Sequence, residues 1–268
     1  MKIIAIMLAI GLSVAFIAKA NPEDDTPEEL TRRIQELYRE GKFKEAIPLA
    51  EKVVVVTKRA KGDGDPETAI SLNRLAALYS KLGDYAKEEP LLKEALEIRQ
   101  KVLGPQHPDT ASSLHNLAGL YRTMGEYGKA EPLYKEALEI RQKVLGPQHP
   151  DTAVSLNNLA GLYLRMGEYG KAEPLYKEAL EIRQKVLGPE HPDTTASLND
   201  LALLYKDMGD YAKAERLLKE AVEIYQKVLG PQDTKTATSL DNLATLYLKL
   251  GNYAEAEPMY KEALEIRH

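Results

Sequence analysis

A seven-residue phrase returns along this chain at a fixed interval, and that interval constrains the fold more than any other feature. GPQHPDT begins at Gly104 and again at Gly146, GPEHPDT begins at Gly188, and GPQDTKT begins at Gly230, each 42 residues after the previous start. A fixed period of about 20 to 50 residues is typical of arrays in which each unit packs only against its neighbours. The period predicts one degenerate unit followed by five regular units: 26–64, 65–106, 107–148, 149–190, 191–232 and 233–268.

The apolar residues inside one unit follow the spacing of two helices. Leu114, Leu117, Ala118 and Tyr121 recur at helical spacing and form one apolar stripe. The second stripe consists of Tyr127, Ala130, Tyr134, Ala137, Leu138 and Val144. Each unit is therefore predicted to be a helical hairpin, with helices of about 15 and 18 residues. One hairpin cannot bury both stripes alone, so stacked neighbours must cover them.

The ends of these helices also carry sequence signals. Gly125 lies between the two stripes and breaks the helix. Gly146 and Pro147 follow the second stripe, where Pro cannot continue a helix. We predict that the residue before each second helix caps it through its side chain. In four of the units that residue is Asp84, Glu126, Asp210 or Asn252.

His107, His149 and His191 recur once per unit, just before a first helix. A shared metal ion is excluded by distance, because stacked helices lie about 8–10 Å apart while ligand bonds are near 2 Å. We interpret these residues as markers of the helix start and predict no metal site. His115, the one His within a helix, is interpreted as a binding residue on the first-helix surface.

At this point the residues resemble a known family. LNNLAGLY from Leu156 resembles the first helix of a tetratricopeptide repeat, and GEYGKAEPLY from Gly167 resembles its second helix. The 42-residue length and the phrase ALEIRQKVLGP from Ala137 are similar to the kinesin-light-chain type of that repeat. The resemblance covers 65–268 closely and 26–64 loosely. It implies an all-α, right-handed superhelical solenoid of helix-turn-helix repeats, a protein-binding role and no enzymatic reaction.

Differences between the chain's own units indicate which surface carries specificity. Units 107–148 and 149–190 share 37 of 42 residues, and four of the five differences lie on the first helix. Exposed positions of the second helix, such as Lys135 and Glu136, stay the same in the next unit. The resemblance implies that first helices line a concave groove, so we interpret the variation as diversification for a ligand. The alternative is free drift of exposed positions.

The candidate groove residues occupy equivalent first-helix positions in five units. They are Asn73, Arg74, Lys81, His115, Asn116, Arg122, Asn157, Asn158, Arg165, Asn199, Asp200, Lys206, Asn242 and Lys249, flanked by Ser80, Ser112, Thr123, Leu164, Asp207, Asp241 and Leu248. The resemblance implies that Asn116, Asn158 and Asn242 contact the backbone of an extended peptide, since an amide both donates and accepts. The alternative is that Asn merely occupies an exposed helix position.

Charge suggests the chemistry of the partner. The six variable positions in five units hold six basic and three acidic residues, although the whole chain has a net charge of −5. A concavity with one dominant charge attracts the opposite charge. We therefore predict that the partner is an extended, partly acidic peptide segment of a protein.

An alternative function is a self-associating scaffold of the cell envelope. The last unit stops at His268, directly after its second helix, with no capping helix. Repeat arrays need polar ends for solubility, so a homo-oligomer through the C-terminal end is the alternative partner arrangement.

Other function classes lack their sequence signals. The chain has no Cys, so it has no disulfide framework and no thiolate metal site. An acidic chain is a poor nucleic-acid binder, because phosphates require clustered Lys and Arg. No phosphate-binding glycine loop, nucleophile elbow or His-Glu-x-x-His sequence occurs. We therefore predict no catalysis, no cofactor and no nucleic-acid partner.

The first twenty residues are predicted to be a secretory signal peptide. Lys2 precedes a run without charges from Ile3 to Ile17, and Ala18-Lys19-Ala20 supplies small residues for cleavage before Asn21. Residues 21–25 form a short linker. We expect an exported protein, periplasmic or extracellular, that does not contact the membrane after cleavage. The alternative is an uncleaved membrane anchor, for which the run is shorter than the roughly 20 residues of a bilayer span.

Overall fold

A computed structural model describes residues 26–267 as twelve helices. They are α1 (Pro27–Arg39), α2 (Phe43–Lys61), α3 (Pro66–Leu82), α4 (Tyr85–Val102), α5 (Pro108–Thr123), α6 (Tyr127–Val144), α7 (Pro150–Met166), α8 (Tyr169–Leu187), α9 (Pro192–Met208), α10 (Tyr211–Val228), α11 (Thr234–Leu250) and α12 (Tyr253–Arg267). Each helix packs mainly against the helices before and after it, so the chain is an all-α repeat solenoid. The signal peptide and linker predicted at 1–25 lie outside the described residues.

Every first helix begins with a proline or a threonine, and the side chain of the residue before it caps the helix. His107 caps α5, where its Nδ1 accepts a hydrogen bond from the Asp109 backbone N–H at 3.1 Å, and Pro108 occupies the first turn. His149 and His191 act in the same way on α7 and α9. At the other end, Gly125 adopts a φ of +79°, which a residue with a Cβ rarely adopts. The recurrent histidines therefore start helices, as interpreted from the sequence.

The capping prediction for the second helices is confirmed for Asp84 and Asp210 and is wrong for Glu126. Asp84 and Asp210 accept hydrogen bonds from the third backbone N–H of their helices. The Glu126 side chain makes no such bond, and neither does that of Glu168. The Glu126 carboxylate pairs with the Lys129 ammonium, as Asp210 does with Lys213 in addition to its cap.

The two stripes of each hairpin bury one another. Leu114, Ala118 and Ala137 are at most 1% exposed, so small alanines allow the helices of the hairpin to approach closely. Val144 does not belong to the second stripe, although the spacing placed it there, because 47% of it is exposed. It lies on the last turn of α6, beyond the surface that the neighbouring helices cover. Within residues 26–267, no helix has the length and apolar character required to cross a membrane.

A ladder of tyrosine–glutamate hydrogen bonds links successive units. The Tyr121 hydroxyl donates to Oε1 of Glu89 on the preceding second helix at 2.8 Å, and Tyr163 donates to Glu131 at 2.9 Å. The same bond forms from Tyr79, Tyr205 and Tyr247. The buried ring packs in the core, and the hydroxyl forms the hydrogen bond to the preceding unit. One Tyr therefore contributes both to the core and to the contact between units. This double role accounts for five of the 15 Tyr in the chain.

A second ladder is made by arginines near the ends of α4, α6 and α8. Arg141, only 7% exposed, donates to the Ser155 hydroxyl at 2.8 Å and to the Asp151 carbonyl at 3.3 Å in the next unit. Arg99 and Arg183 repeat this arrangement. The ladder stops where Tyr225 replaces Arg, because its hydroxyl donates to the Pro192 carbonyl of its own unit.

We predict that Arg141→Ala destabilises the array by about 2–4 kcal/mol, because it leaves a buried serine hydroxyl and a carbonyl without their partner. Urea denaturation followed by circular dichroism measures the change. Arg165→Ala is the control, since Arg165 is exposed and its loss should change stability by no more than about 0.5 kcal/mol. Equal effects from the two substitutions would contradict the role of the arginine ladder.

Candidate functional site

The exposed faces of the first helices form a groove with a cavity of about 370 Å³ near its N-terminal half, here called the central cavity. Its walls come from α1, α3, α5 and α7, with α4 and α6 behind them. Six of the predicted groove residues line it: Asn73, Lys81, His115, Asn116, Arg122 and Asn158. The structure therefore brings together residues from three successive units, up to 85 positions apart in the sequence.

The asparagines of the central cavity are oriented by their own helices. Nδ2 of Asn73 donates to the Ala69 carbonyl at 2.8 Å, and Nδ2 of Asn158 donates to the Val154 carbonyl at 2.8 Å. Nδ2 of Asn116 donates to Oδ1 of Asn73 at 3.4 Å. Each Nδ2 carries two N–H bonds and these contacts use one of them, so both the amide oxygen and the second N–H of Asn116 and Asn158 are open to a ligand.

A second cavity of about 330 Å³, here called the flanking cavity, continues the groove toward the C-terminus. Arg122 and Arg165 line it together with Tyr127, Gly161 and Tyr176. A Cβ at Gly161 would lie 3.3 Å from the Tyr176 hydroxyl and 3.4 Å from Nη1 of Arg122, so a larger residue there would displace these side chains. The central and flanking cavities share the Arg122 side chain, so one guanidinium faces both.

A third cavity of about 300 Å³, here called the N-terminal cavity, lies between α1 and α3. Arg74 and Arg39 line it beside apolar side chains such as Ile34 and Val53. Thr57 occupies the position equivalent to Arg99, so no guanidinium of the arginine ladder fills this joint. The N-terminal and central cavities share Tyr38 and Ala77, and the three cavities form a continuous series along the first helices.

Three predicted groove residues are used inside the protein. Nδ2 of Asn157 donates to Oδ2 of Asp200 at 2.7 Å, which joins α7 to α9. Asn199 is 8% exposed and donates to the Ser239 hydroxyl at 2.8 Å, which joins α9 to α11. Burial raises the pKa of Asp200, while its hydrogen bond to Asn157 opposes that shift. These side chains hold neighbouring first helices together.

The remaining predicted residues lie in the C-terminal half of the groove. Lys206 lies 3.9 Å from Asp207, measured between the ammonium and a carboxylate oxygen. The Lys249 ammonium lies 5.5 Å from the ring centre of Tyr211. Asn242 is half-buried on α11. The nearby carboxylate of Asp241 pairs with Arg267, so this end of the groove is less basic than the beginning.

His115 is half-buried in the wall of the central cavity. Its ring packs edge-on against Tyr134 with centres 5.3 Å apart, and its Nδ1 has no hydrogen-bond partner. Burial, followed by the charges of Arg141 and Arg122, lowers the pKa of His115 to about 4. The imidazole is therefore neutral at pH 7.

Glu88 and Tyr134 are among the residues of this cavity that the sequence did not predict. They lie on the second helices, and comparison of the first helices alone does not reach them. A signal existed for Glu88, because the equivalent position is alanine in the other five units, at Ala46, Ala130, Ala172, Ala214 and Ala256. Tyr134 is identified by the structure alone, where a Cβ added to Gly119 on the facing first helix would lie 3.5 Å from its hydroxyl.

The side chains of this surface offer hydrogen-bonding groups and charges. Amide oxygens, guanidinium groups and one neutral imidazole line its walls. In the part of the chain that the structure describes, no group of three or more His, Cys, Asp or Glu side chains is arranged to hold a metal ion.

Comparison with known proteins identifies the family. The tetratricopeptide repeat model matches residues 36–101, 81–143, 116–185, 151–227 and 193–267. Because these matches together span most of the chain, the protein belongs to the tetratricopeptide repeat family. A comparison with curated proteins finds no match.

Solved structures with this fold include proteins with kinesin-light-chain-like repeats. A candidate kinesin light chain from Podosopora anserina with nearly identical repeats is 28% identical, with a TM-score of 0.66, over 75% of this chain and 95% of that one. BtubC (BKLC) from P. vanneervenii is 27% identical, with a TM-score of 0.66, over 89% and 91%. A Rap protein complexed with Competence and Sporulation Factor shares the fold at 17% identity and a TM-score of 0.63, over 90% and 74%. The repeats of this chain are thus of the kinesin-light-chain type.

We predict that His115→Asn removes part of the acid sensitivity of the fold. His115 has a lower pKa in the folded state than the usual 6.5, so the unfolded chain binds more protons between pH 6.5 and 4. Its contribution to stability is complete above about pH 6.5 and is lost as the pH falls, by roughly 2 kcal/mol near pH 4.5.

Urea unfolding of both proteins at pH 7 and pH 4.5 measures this effect. Asn is the residue at the equivalent positions 73 and 157, so the substitution suits the fold. A wild-type protein that loses no more stability than the variant between these pH values would contradict the burial of His115.

Proposed function

We propose that this protein is a non-enzymatic interaction module that holds an extended, partly acidic peptide segment along the first helices. The observation that carries the proposal is the continuous series of three cavities on α1, α3, α5 and α7. Tetratricopeptide arrays provide elongated surfaces for binding other proteins. An extended segment suits this surface, because each unit offers a similar set of groups to successive residues of the segment.

The charge of the cavities supports an acidic partner. The three cavities are lined by five basic side chains, those of Arg39, Arg74, Lys81, Arg122 and Arg165. They are lined by one acidic side chain, that of the buried Glu88. The chain as a whole is acidic. A basic groove on an acidic protein attracts and orients an anionic segment while the remaining surface repels it.

The asparagine oxygens support a role in contacting peptide backbone. Asn116 and Asn158 each use one N–H of Nδ2 within the protein, which leaves Oδ1 as an acceptor and the second N–H as a donor. Backbone N–H groups of an extended peptide are donors without partners of their own. The amides therefore supply contacts that are independent of the peptide's side chains, and the arginines supply those that depend on them.

We further propose that the protein acts outside the cytoplasm, on the basis of the signal-like sequence of residues 1–20. Mass spectrometry of the exported chain tests this proposal, because cleavage before Asn21 leaves a mature chain that begins at that residue. Light scattering of the same material separates the peptide-binding module from the self-associating scaffold, since a scaffold grows in size with concentration.

We predict that the double reversal Arg122→Glu and Arg165→Glu weakens binding of acidic peptides about 10- to 100-fold, because two attractive charges become repulsive. The probes are pools of acetylated, amidated dodecapeptides in which half of the positions are Asp or Glu. Matched pools contain Asn and Gln instead. Fluorescence anisotropy measures affinity, and the melting temperature should stay nearly unchanged because both side chains lie on the groove surface.

The control is Lys101→Glu with Lys143→Glu, which changes the net charge equally on exposed turns of α4 and α6. It should retain nearly full affinity. Unaltered binding by the groove variant would reject the groove assignment, and an equal loss in the control would show that only net charge matters.

A further inference from the structure

Glycine faces tyrosine across the hairpin in two successive units. A Cβ added to Gly161 of α7 would lie 3.3 Å from the hydroxyl of Tyr176 on α8. In the preceding unit, a Cβ added to Gly119 would lie 3.5 Å from the Tyr134 hydroxyl. Glycine inside a helix is less stable than alanine, because its backbone loses more conformational freedom. The two glycines therefore cost stability, and the space that they leave beside the hydroxyls requires a reason beyond stacking.

The other regular units avoid this arrangement. In the last unit the second-helix residue is again tyrosine, but Thr245 replaces glycine and its hydroxyl is hydrogen-bonded to that of Tyr260 at 2.9 Å. The two remaining units have apolar residues at both positions: Ala77 with Leu92, and Leu203 with Leu218. The chain can therefore fill this space or satisfy the hydroxyl, and in units 107–148 and 149–190 it does neither.

The Tyr176 hydroxyl is open to the flanking cavity. Tyr176 is only 3% exposed, but its hydroxyl reaches the surface of the cavity and, within residues 26–267, makes no hydrogen bond. Burial, followed by the charge of Asp200, raises the pKa of Tyr176, while the charge of Arg122 opposes the shift. The hydroxyl is therefore protonated at pH 7 and can donate a hydrogen bond to a group in the cavity.

Two guanidinium groups share this space with the hydroxyl. Nη1 of Arg122 lies 3.4 Å from the position of the absent Gly161 Cβ, so it and the Tyr176 hydroxyl lie close to one point. Arg165 follows Gly161 by one helical turn on the same face of α7 and also lines the cavity. Of the described residues that line the flanking cavity, none is acidic. The group that complements two cations and a phenol donor is an anion with several lone pairs.

The Asp200 carboxylate, which acts electrostatically on Tyr176, is countered within the protein. Its Oδ2 accepts a hydrogen bond from Nδ2 of Asn157 at 2.7 Å. Burial raises its pKa, and the hydrogen bond from Asn157 with the charges of Arg183 and Arg122 opposes that shift. Because burial favours its neutral form and it does not line the flanking cavity, Asp200 leaves the cavity available to an anion.

We propose that the flanking cavity binds the carboxylate of one Asp or Glu side chain of the bound peptide, with Tyr176 and Arg122 donating hydrogen bonds to it beside Gly161. This inference rests on the proposed function and refines it, because it assigns one acidic residue of the peptide to a defined site. A carboxylate fits, since its two oxygens accept separate donors and its planar shape matches a guanidinium. The absence of a side chain at Gly161 gives the carboxylate room to reach both donors.

The test uses small probes that are independent of the rest of the peptide. Nα-acetyl-L-glutamate methylamide carries the carboxylate, the corresponding glutamine compound is its neutral counterpart, and the O-phospho-L-serine compound carries a phosphate. Each is titrated into the full chain and followed by NMR of the arginine side chains. We expect the glutamate probe to bind most tightly, and Tyr176→Phe to weaken it about 10-fold, because one hydrogen bond to a charged group is lost.

Tyr260→Phe is the matched control, because it removes the equivalent hydroxyl where that group already has a partner in Thr245. Tyr260→Phe should lower the melting temperature and bind the probe as wild type does. Tyr176→Phe should show the opposite pattern, with weaker binding and a nearly unchanged melting temperature, since its hydroxyl has no partner in the described protein. A purely structural role of Tyr176 would not produce this reversal.

Gly161→Ala tests the space beside the hydroxyl. Its Cβ would crowd the Tyr176 hydroxyl and Nη1 of Arg122, so it should weaken the glutamate probe although alanine favours the helix. Gly170→Ala is the control, because a Cβ at that position of α8 meets nothing within 4 Å. It should bind the probe as wild type does.

The proposal is wrong if the glutamate probe does not bind wild type, if Tyr176→Phe binds it equally well, or if the glutamine or phosphoserine probe binds more tightly. If the acidic dodecapeptides still bind wild type in such a case and lose affinity in the double reversal of Arg122 and Arg165, only the carboxylate site is rejected. If the glutamate probe binds as expected but the dodecapeptides do not, the carboxylate site stands and the extended-peptide function fails.

Discussion

The joint between successive hairpins is the interaction on which the whole molecule depends. Each hairpin buries one side of its helices internally and leaves the other side for its neighbour. Two polar ladders set the register of that contact, one from tyrosine hydroxyls to glutamates and one from arginines to serines. Because hydrogen bonds are directional, they select one stacking geometry among the many that apolar surfaces alone would allow. The position of every groove residue follows from this geometry.

The groove divides its polar residues between holding the array together and facing the solvent. Asn157 and Asn158 are neighbours in the sequence with identical side chains. Asn157 contacts Asp200 on the next first helix, whereas Asn158 bonds to its own helix and lines the central cavity. A helix turns by about 100° per residue, so adjacent residues face different surroundings. Two adjacent residues of α7 thus have different roles: one holds neighbouring first helices together, and the other lines the groove.

The fold was accessible from the sequence because its information is repeated. The period, the apolar stripes and the glycines at helix ends recur in every regular unit, so each signal is read several times. The site was less accessible, because it depends on single substitutions and on their neighbours in space. Nothing local to Asn157 indicates that its partner is Asp200, 43 positions later. Glu88 differs visibly from its alanine counterparts, but its burial follows from packing against helices of two units.

The near identity of units 107–148 and 149–190 has a consequence for how the chain assembles. Their stacking surfaces are almost interchangeable, so a unit that docks one place out of order loses little apolar contact. Misassembly between similar units is a characteristic failure of repeat proteins. The pair of Asn157 and Asp200 opposes it, because Asp200 would meet His115 if its unit skipped one neighbour. The polar residues that differ between units thereby favour one order of stacking among units whose apolar surfaces are otherwise equivalent.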